Sequence, residues 1–196
     1  MTTSDNREEW LQQAGVLLTR WVKKAGGPAF PPPLVSVGWP RGSRGKSHAI
    51  GQCWDKSASG ESNEISARAH VFISPELTEA ESVLAVLLHE LVHASVGTAC
   101  GHRGEFRKVA IGTGLEGKMT ATVAGAALSK RLGALAGVLG KYPHPGLNES
   151  SRKKPGSRLL KVLCGDCGCI VRITRTWLDS VGPPQCGCGA QMEESY

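Results

Sequence analysis

Apolar residues in this chain recur with two periods, and the switch between them maps the elements. From Asp5 to Ala25, Trp10, Ala14, Leu17 and Trp21 return at helical spacing. Asp5 and Glu8 fit a capping pattern at its start, and Gly26-Gly27-Pro28 ends it. Pro31-Pro32-Pro33 is an extended connector. Leu34 to Trp39, Ala49 to Trp54 and Ile65 to Ile73 then read as short strands separated by Gly- and Ser-rich turns. Thr78-x-x-Glu81 forms a capping box ahead of a second helix. That helix carries Val83 to Leu88 without a break and continues with Leu91, Val92, Ala94 and Val96. It is apolar nearly all round, which predicts burial.

Beyond it the pattern weakens. Glu105 to Ile111 reads as a short helix, Gly112 to Val123 matches neither period, and Ala124 to Leu139 is a helix ended by Gly140. Lys141 to Ser157 carries three prolines, polar residues and charges, and reads as a linker. The expected organisation is a first domain over 1–140, a linker over 141–157 and a small domain over 158–196.

The polar residues inside the buried helix carry the chemistry. His89-Glu90-Leu91-Val92-His93 places two imidazoles four residues apart, on one face of a helix. Both can point at one metal ion, and Glu90 can take a proton from an attacking water. Gly101-His102 supplies a third ligand and leaves a fourth tetrahedral position open, as in catalytic zinc sites. Burying two histidines and a glutamate unpaired costs roughly 2 kcal/mol or more per group, which a metal offsets.

Seven cysteines add a second centre. Cys164-Gly-Asp-Cys167 and Cys186-Gly-Cys188 are two close pairs about twenty residues apart. Four thiolates at such turns make a closed, structural zinc site, and the metal replaces a core that so short a segment lacks. Cys169 is a spare that can compete as a ligand, while Cys53 and Cys100 read as buried thiols. Val162, Val171 and Ile173 supply strand-forming residues around the site.

Charge bears on partners. The net charge is +6, and the stretch from Ser151 to Trp177 accounts for all of it. Arg152, Lys153, Lys154, Arg158, Lys161, Arg172 and Arg175 stand there against Asp166 alone. Such a cluster suggests a polyanion, most often nucleic acid. Trp177 can stack on a base of a single strand or pack within the small domain. Arg41-Gly42-Ser43-Arg44-Gly45-Lys46-Ser47 ends like a phosphate-binding loop but has Pro40 where glycine is required and precedes a strand, so it reads as a basic hairpin loop. No run of 18 apolar residues occurs, so no transmembrane helix is expected. The polar N-terminus lacks a signal-peptide pattern, so a cytoplasmic location is expected.

Taken together these residues resemble the SprT-like family, which includes the Spartan-type proteases. The likeness lies in HELVHA after a strand and turn, in Gly101-His102-Arg103-Gly104-Glu105-Phe106 beside that family's GHGxEF segment, and in a zinc ribbon after a basic linker. Gly51 to Trp54 and Asn63 to Ser74 look like its hairpin, and the likeness runs from about Leu34 to the C-terminus. Gly114 to Thr120 is similar to small SprT-like proteins of bacteriophage and actinobacterial genomes, which would place the chain in a host cytoplasm if phage-encoded. The chain departs from the family in a short His93–His102 spacing and in Arg103, where a second glycine is common.

The resemblance implies an α+β, zincin-like fold: a mixed, mostly antiparallel sheet on the HExxH helix, followed by a small C-terminal zinc ribbon. It implies catalytic zinc at His89, His93 and His102, with Glu90 as general base, in a metallopeptidase whose substrates are DNA-associated or DNA-crosslinked proteins. DNA, including single strands, is then a partner, a membrane is not, and the chain is expected to be a monomer. The strand from Ile65 to Ile73 is expected to pair with an extended substrate. Tyr142, His144 or an arginine would stabilise the oxyanion, and Asn63 or a backbone carbonyl would orient a ligand histidine. Two rivals remain. One is a non-proteolytic, transcription-associated nucleic-acid-binding protein with two structural zincs. The other is a deformylase-like hydrolase using Cys53 as third ligand, although the glycine-rich elements it needs are missing.

Overall fold

The computed structural model describes residues 4–40, 49–58, 67–148 and 159–195. The basic loop over 41–48, Asn63 and the linker bases Arg152, Lys153, Lys154 and Arg158 lie outside these residues. The chain divides into two compact units, 1–149 and 150–196, both of mixed α and β structure.

In the first unit, α1 (Arg7–Lys24) buries Trp10, Leu11, Ala14, Leu18 and Val22 along one face. Its cap is Asn6, one residue later than the expected Asp5. The Asn6 side chain accepts from the Glu9 N–H at 2.8 Å, because asparagine caps as well as aspartate and Glu9 completes the turn. The strands β1 (Leu34–Val37), β2 (Gly51–Trp54) and β3 (His70–Ile73) form one sheet in the order β1-β3-β2. β1 runs parallel to β3, and β2 runs antiparallel to it. The third strand begins at His70; of the expected run from Ile65, residues 65–66 lie outside the described residues and 67–69 are not in the strand.

A tight connection at Ser74-Pro75 leads into α2 (Ala80–Val96). The expected capping box does not form. Glu79 is the cap residue, and Glu81 accepts from the Ser129 hydroxyl at 3.3 Å on α4 (Ala126–Leu139). As predicted, α2 is buried. It packs against α1, α4, the sheet and α3 (Glu105–Thr113), and Leu84, Leu87, Leu88 and Leu91 anchor the core. The stretch that matches neither period resolves into the end of α3 and a hairpin. Gly114 terminates α3 in the left-handed region, φ 98°, where a side chain would be strained. β4 (Leu115–Lys118) then pairs with β5 (Ala121–Ala124), so α4 begins two residues later than expected.

The first unit also extends past the expected boundary at Gly140. Tyr142 is buried edge-on against Trp10 at 5.0 Å, with the Arg7 guanidinium over its ring. Arg7 donates to the carbonyls of Pro75, Pro143 and His144, which ties α1 to this segment.

The second unit is a three-stranded antiparallel sheet, β7 (Ile170–Thr174), β6 (Leu159–Cys164) and β8 (Met192–Ser195), with α5 (Arg175–Val181) after β7. Its core is small: Val162, Leu178, Met192 and two cysteines. Among the described residues, no helix is long and apolar enough to cross a membrane.

Candidate functional site

The first unit gathers its histidines through one helix and one loop. His89 and His93 stand a turn apart on α2. After Gly97 the chain reverses through a turn in which Gly101 and Gly104 have φ of 54° and 51°, a region open to glycine at little cost. That reversal brings His102 back over the helix. Its Nε2 lies 3.2 Å from His89 Nε2 and 3.2 Å from His93 Nε2. Phe106, fully buried on α3, floors the cluster with its ring centroid 4.2–5.0 Å from the three imidazoles.

Three converging ring nitrogens cannot all be satisfied by hydrogen bonds to one another, since each neutral imidazole has one N–H and one lone pair. They can all be satisfied by one cation. Nitrogens about 2.0–2.1 Å from a tetrahedral zinc stand roughly 3.3 Å apart, close to the separations found. Burial lowers the His89 pKa to about 4, helped by His102, and that of His93 to about 3, helped by His89 and His102. His102 is also lowered by burial. Neutral rings are the form that binds metal.

Glu90 is 6 % exposed and points to the β2 side of α2. Burial pushes its carboxyl up to about 8, partly offset by a hydrogen bond from the Cys53 backbone. The strand passes so close that a Cβ on Gly51 would stand 2.5 Å from Glu90 Oε1 and 2.7 Å from Val86 Cγ1. A cavity of about 790 Å³ opens over the cluster, walled by β2, α2, the His102 turn and the tip of the β4–β5 hairpin from Thr120 to Val123.

Several expected roles move. β3 is the central strand, hydrogen-bonded on both sides, so it has no free edge for a substrate. The strand beside Glu90 is β2, the last in the order β1-β3-β2 among the described residues. Tyr142 and His144 belong to the Arg7 clamp and do not line the cavity, so neither stands where an oxyanion would form. Cys53 lines the cavity, but its sulfur is not part of the histidine cluster. Its thiol is pushed up to about 12 by burial and by Glu90 and Asp55, which opposes a ligand role. Cys53 and Cys100 are half-buried rather than buried. Sequence reasoning missed Thr122, whose Oγ1 lies 2.8 Å from His89 Nδ1. A threonine 33 residues away in an unassigned stretch carries no signal of that contact.

In the second unit Cys164, Cys167, Cys186 and Cys188 come together, each sulfur within 4.8 Å of the others. The Cys164–Cys188 and Cys167–Cys186 sulfurs are 3.5 and 3.4 Å apart. Tetrathiolate zinc sets sulfurs roughly 3.8 Å apart, so this group also fits a metal. Backbone N–H groups at the turn, that of Cys167 first, hold the Cys164 thiol down to about 7, while Cys167 is pushed up to about 12 and Cys188 is also raised, the neighbouring thiols outweighing the backbone N–H groups there. Cys169 stays outside the group and is exposed; its carbonyl accepts from the Cys164 N–H at 2.9 Å.

Of the second unit's bases, Lys161 and Arg172 face one another across β6 and β7. Arg175 is engaged with Glu194 through two hydrogen bonds of 2.6 and 3.1 Å, so it is an ion-pair partner rather than a free cation. Trp177 is 61 % exposed, so it does not pack within the ribbon. Over 159–195 the three bases face Asp166, Asp179, Glu193 and Glu194, so the excess positive charge sits at 152–158. Comparisons with models of known families, with curated proteins and with solved structures find no match for this chain.

Proposed function

We propose that the chain is a zinc-dependent peptidase of SprT or Spartan type, acting on DNA-associated or DNA-crosslinked proteins. On this reading the first unit is a zincin-like domain and the second a zinc ribbon. The observation that carries it is the juxtaposition of three converging histidine nitrogens with a buried carboxylate on one cavity.

His89, His93 and His102 would hold the catalytic zinc, and the four ribbon cysteines a structural one. Bound zinc supplies Lewis acidity, bringing water to a pKa of about 7 and polarising a carbonyl. The chain's own residues do the rest. β2, which walls the cavity beside Glu90, would align an extended substrate backbone and lay the scissile bond along the cavity. Glu90 receives the proton of the attacking water and hands it to the departing amine. Its burial, which raises its pKa towards neutrality, suits a group that must both take and give a proton. The basic segment at 152–158 and the exposed Trp177 would bring the enzyme to DNA, the bases by phosphate contacts and the ring by stacking.

The test is zinc content combined with proteolysis. Purified protein should hold two zincs per chain, and His89→Ala/His93→Ala should hold one. Glu90→Gln should hold two and lose cleavage of unfolded or DNA-bound protein, with and without single-stranded DNA. Equal cleavage by wild type and Glu90→Gln removes Glu90 as base. Tight DNA binding without any cleavage by wild type favours a nucleic-acid-binding protein with two structural zincs.

A further inference from the structure

We infer that Thr122, on the β4–β5 hairpin, fixes the ring orientation of His89 and thereby sets how tightly the three-histidine site holds zinc. This inference rests on the proposed use of that site as a metal centre.

The geometry is one-sided in an informative way. His89 Nδ1 meets Thr122 Oγ1 at 2.8 Å, while Nε2 of the same ring meets His102 Nε2 at 3.2 Å. A neutral imidazole carries its proton on one nitrogen and a lone pair on the other. With the proton on Nδ1, the ring donates to the Thr122 oxygen and turns the Nε2 lone pair towards the point where the three nitrogens converge. With the proton on Nε2, an N–H fills that point and His89 ceases to be a ligand. The hydroxyl can accept from Nδ1–H or donate to an Nδ1 lone pair, so it holds the ring plane in either case; a metal at Nε2 leaves the proton on Nδ1, where the Thr122 oxygen accepts it.

The hairpin holds that hydroxyl firmly. Thr122 pairs with Gly117 across β4 and β5, and the hairpin's base is closed by the Gly125 N–H donating to the Gly114 carbonyl at 3.0 Å. Leu115, fully buried, anchors the start of the first strand in the core, while Glu116, Gly117 and Lys118 are exposed. A β-branched side chain on such a strand has few rotamers, so the oxygen stays put at little entropic cost. His93 has no equivalent support: its Nδ1 is buried without a hydrogen-bond partner, and its ring is placed by contact with Phe106 at 4.2 Å. Among the described residues, the direction of His89 is thus set by its hydrogen bond to Thr122, and that of His93 by ring contact.

Groups that orient a ligand histidine in this way are typically worth about 10–100-fold in metal affinity. The test is zinc competition against a chromophoric chelator on full-length wild type, Thr122→Val and Thr122→Ser. The ribbon site serves as an internal reference. Thr122→Val should weaken one of two zinc sites by about 10–100-fold and leave the other unchanged, while Thr122→Ser should stay within about threefold of wild type. Nitrogen-15 spectra of zinc-loaded wild type should show His89 protonated at Nδ1, a readout that does not depend on how any variant folds. Wild-type affinity in Thr122→Val overturns the inference. So does equal weakening in the serine variant, which assigns the effect to methyl packing, or a His89 Nδ1 without its proton. A wild type that binds only the ribbon zinc refutes the metal centre itself. That outcome is distinguishable because the loss then precedes any substitution.

Discussion

Gly51→Ala is a one-carbon test of whether Glu90 must stand where it does. The new Cβ would lie 2.5 Å from Glu90 Oε1 and 2.7 Å from Val86 Cγ1, both closer than real Cβ contacts allow. Val86 is fixed on the buried helix, so the carboxylate and the strand must part. Restoring ordinary contact takes a shift of about 1 Å, and a misplacement of that size can cost about 100-fold in rate, or roughly 2.7 kcal/mol of barrier. Overpacking should also cost about 1–3 kcal/mol of stability. Zinc content should be unchanged, because the three histidines stand on α2 and the His102 turn rather than on β2. Gly137→Ala is the control. It lies inside α4 with nothing within 4 Å of its Cβ, so it should raise stability by about 0.5–1 kcal/mol and leave cleavage alone. Initial rates on an unfolded protein substrate, zinc by elemental analysis and thermal melts decide the matter. A Gly51→Ala variant that holds two zincs and cleaves within about threefold of wild type refutes the reasoning, since a displaced Glu90 would then cost nothing.

Three further outcomes are expected. Cys164→Ser should release one zinc and unfold residues 159–195 while the first unit melts unchanged, because the ribbon core is too small to stand alone; circular dichroism with zinc analysis tests this. Replacing Arg152, Lys153, Lys154 and Arg158 by alanine should lower DNA affinity and flatten its log–log salt slope by about 0.7–0.9 for each phosphate no longer neutralised, read from titrations at several salt concentrations. A deletion made for comparison should cut after Asn148, since ending at Tyr142 would damage the Arg7 clamp. In metal-free protein, folding raises the Glu90 carboxyl from its ordinary 4.5 to about 8, so the unfolded chain ionises first and wild type loses stability as pH rises between those values. Glu90→Gln lacks that loss, so its melting temperature should gain on wild type from pH 4.5 to pH 8; a constant difference would show that the carboxyl is not buried as described.

The sequence alone determined the groups able to hold a metal and the helix that carries two of their histidines. Spacing of four on an α-helix is a local property, so HELVH places two imidazoles on one face whatever the rest of the chain does. The buried helix was likewise legible, because an all-round apolar run has no other home. Paired cysteines in glycine turns announced the second cluster for the same reason. Tertiary structure decided everything that depends on what lies beside these elements. Which strand borders Glu90 follows from the order β1-β3-β2, and a four-residue strand carries no record of its neighbours. Thr122 reaches His89 only because a hairpin with no clear period folds between two helices. Tyr142 reads as linker in the sequence, yet it is core because Arg7 from the first turn of α1 holds that segment down. Arg175 reads as a free base until Glu194, distant in sequence, closes on it in the fold. Local periodicity encodes which face a residue takes, and only packing decides what that face meets.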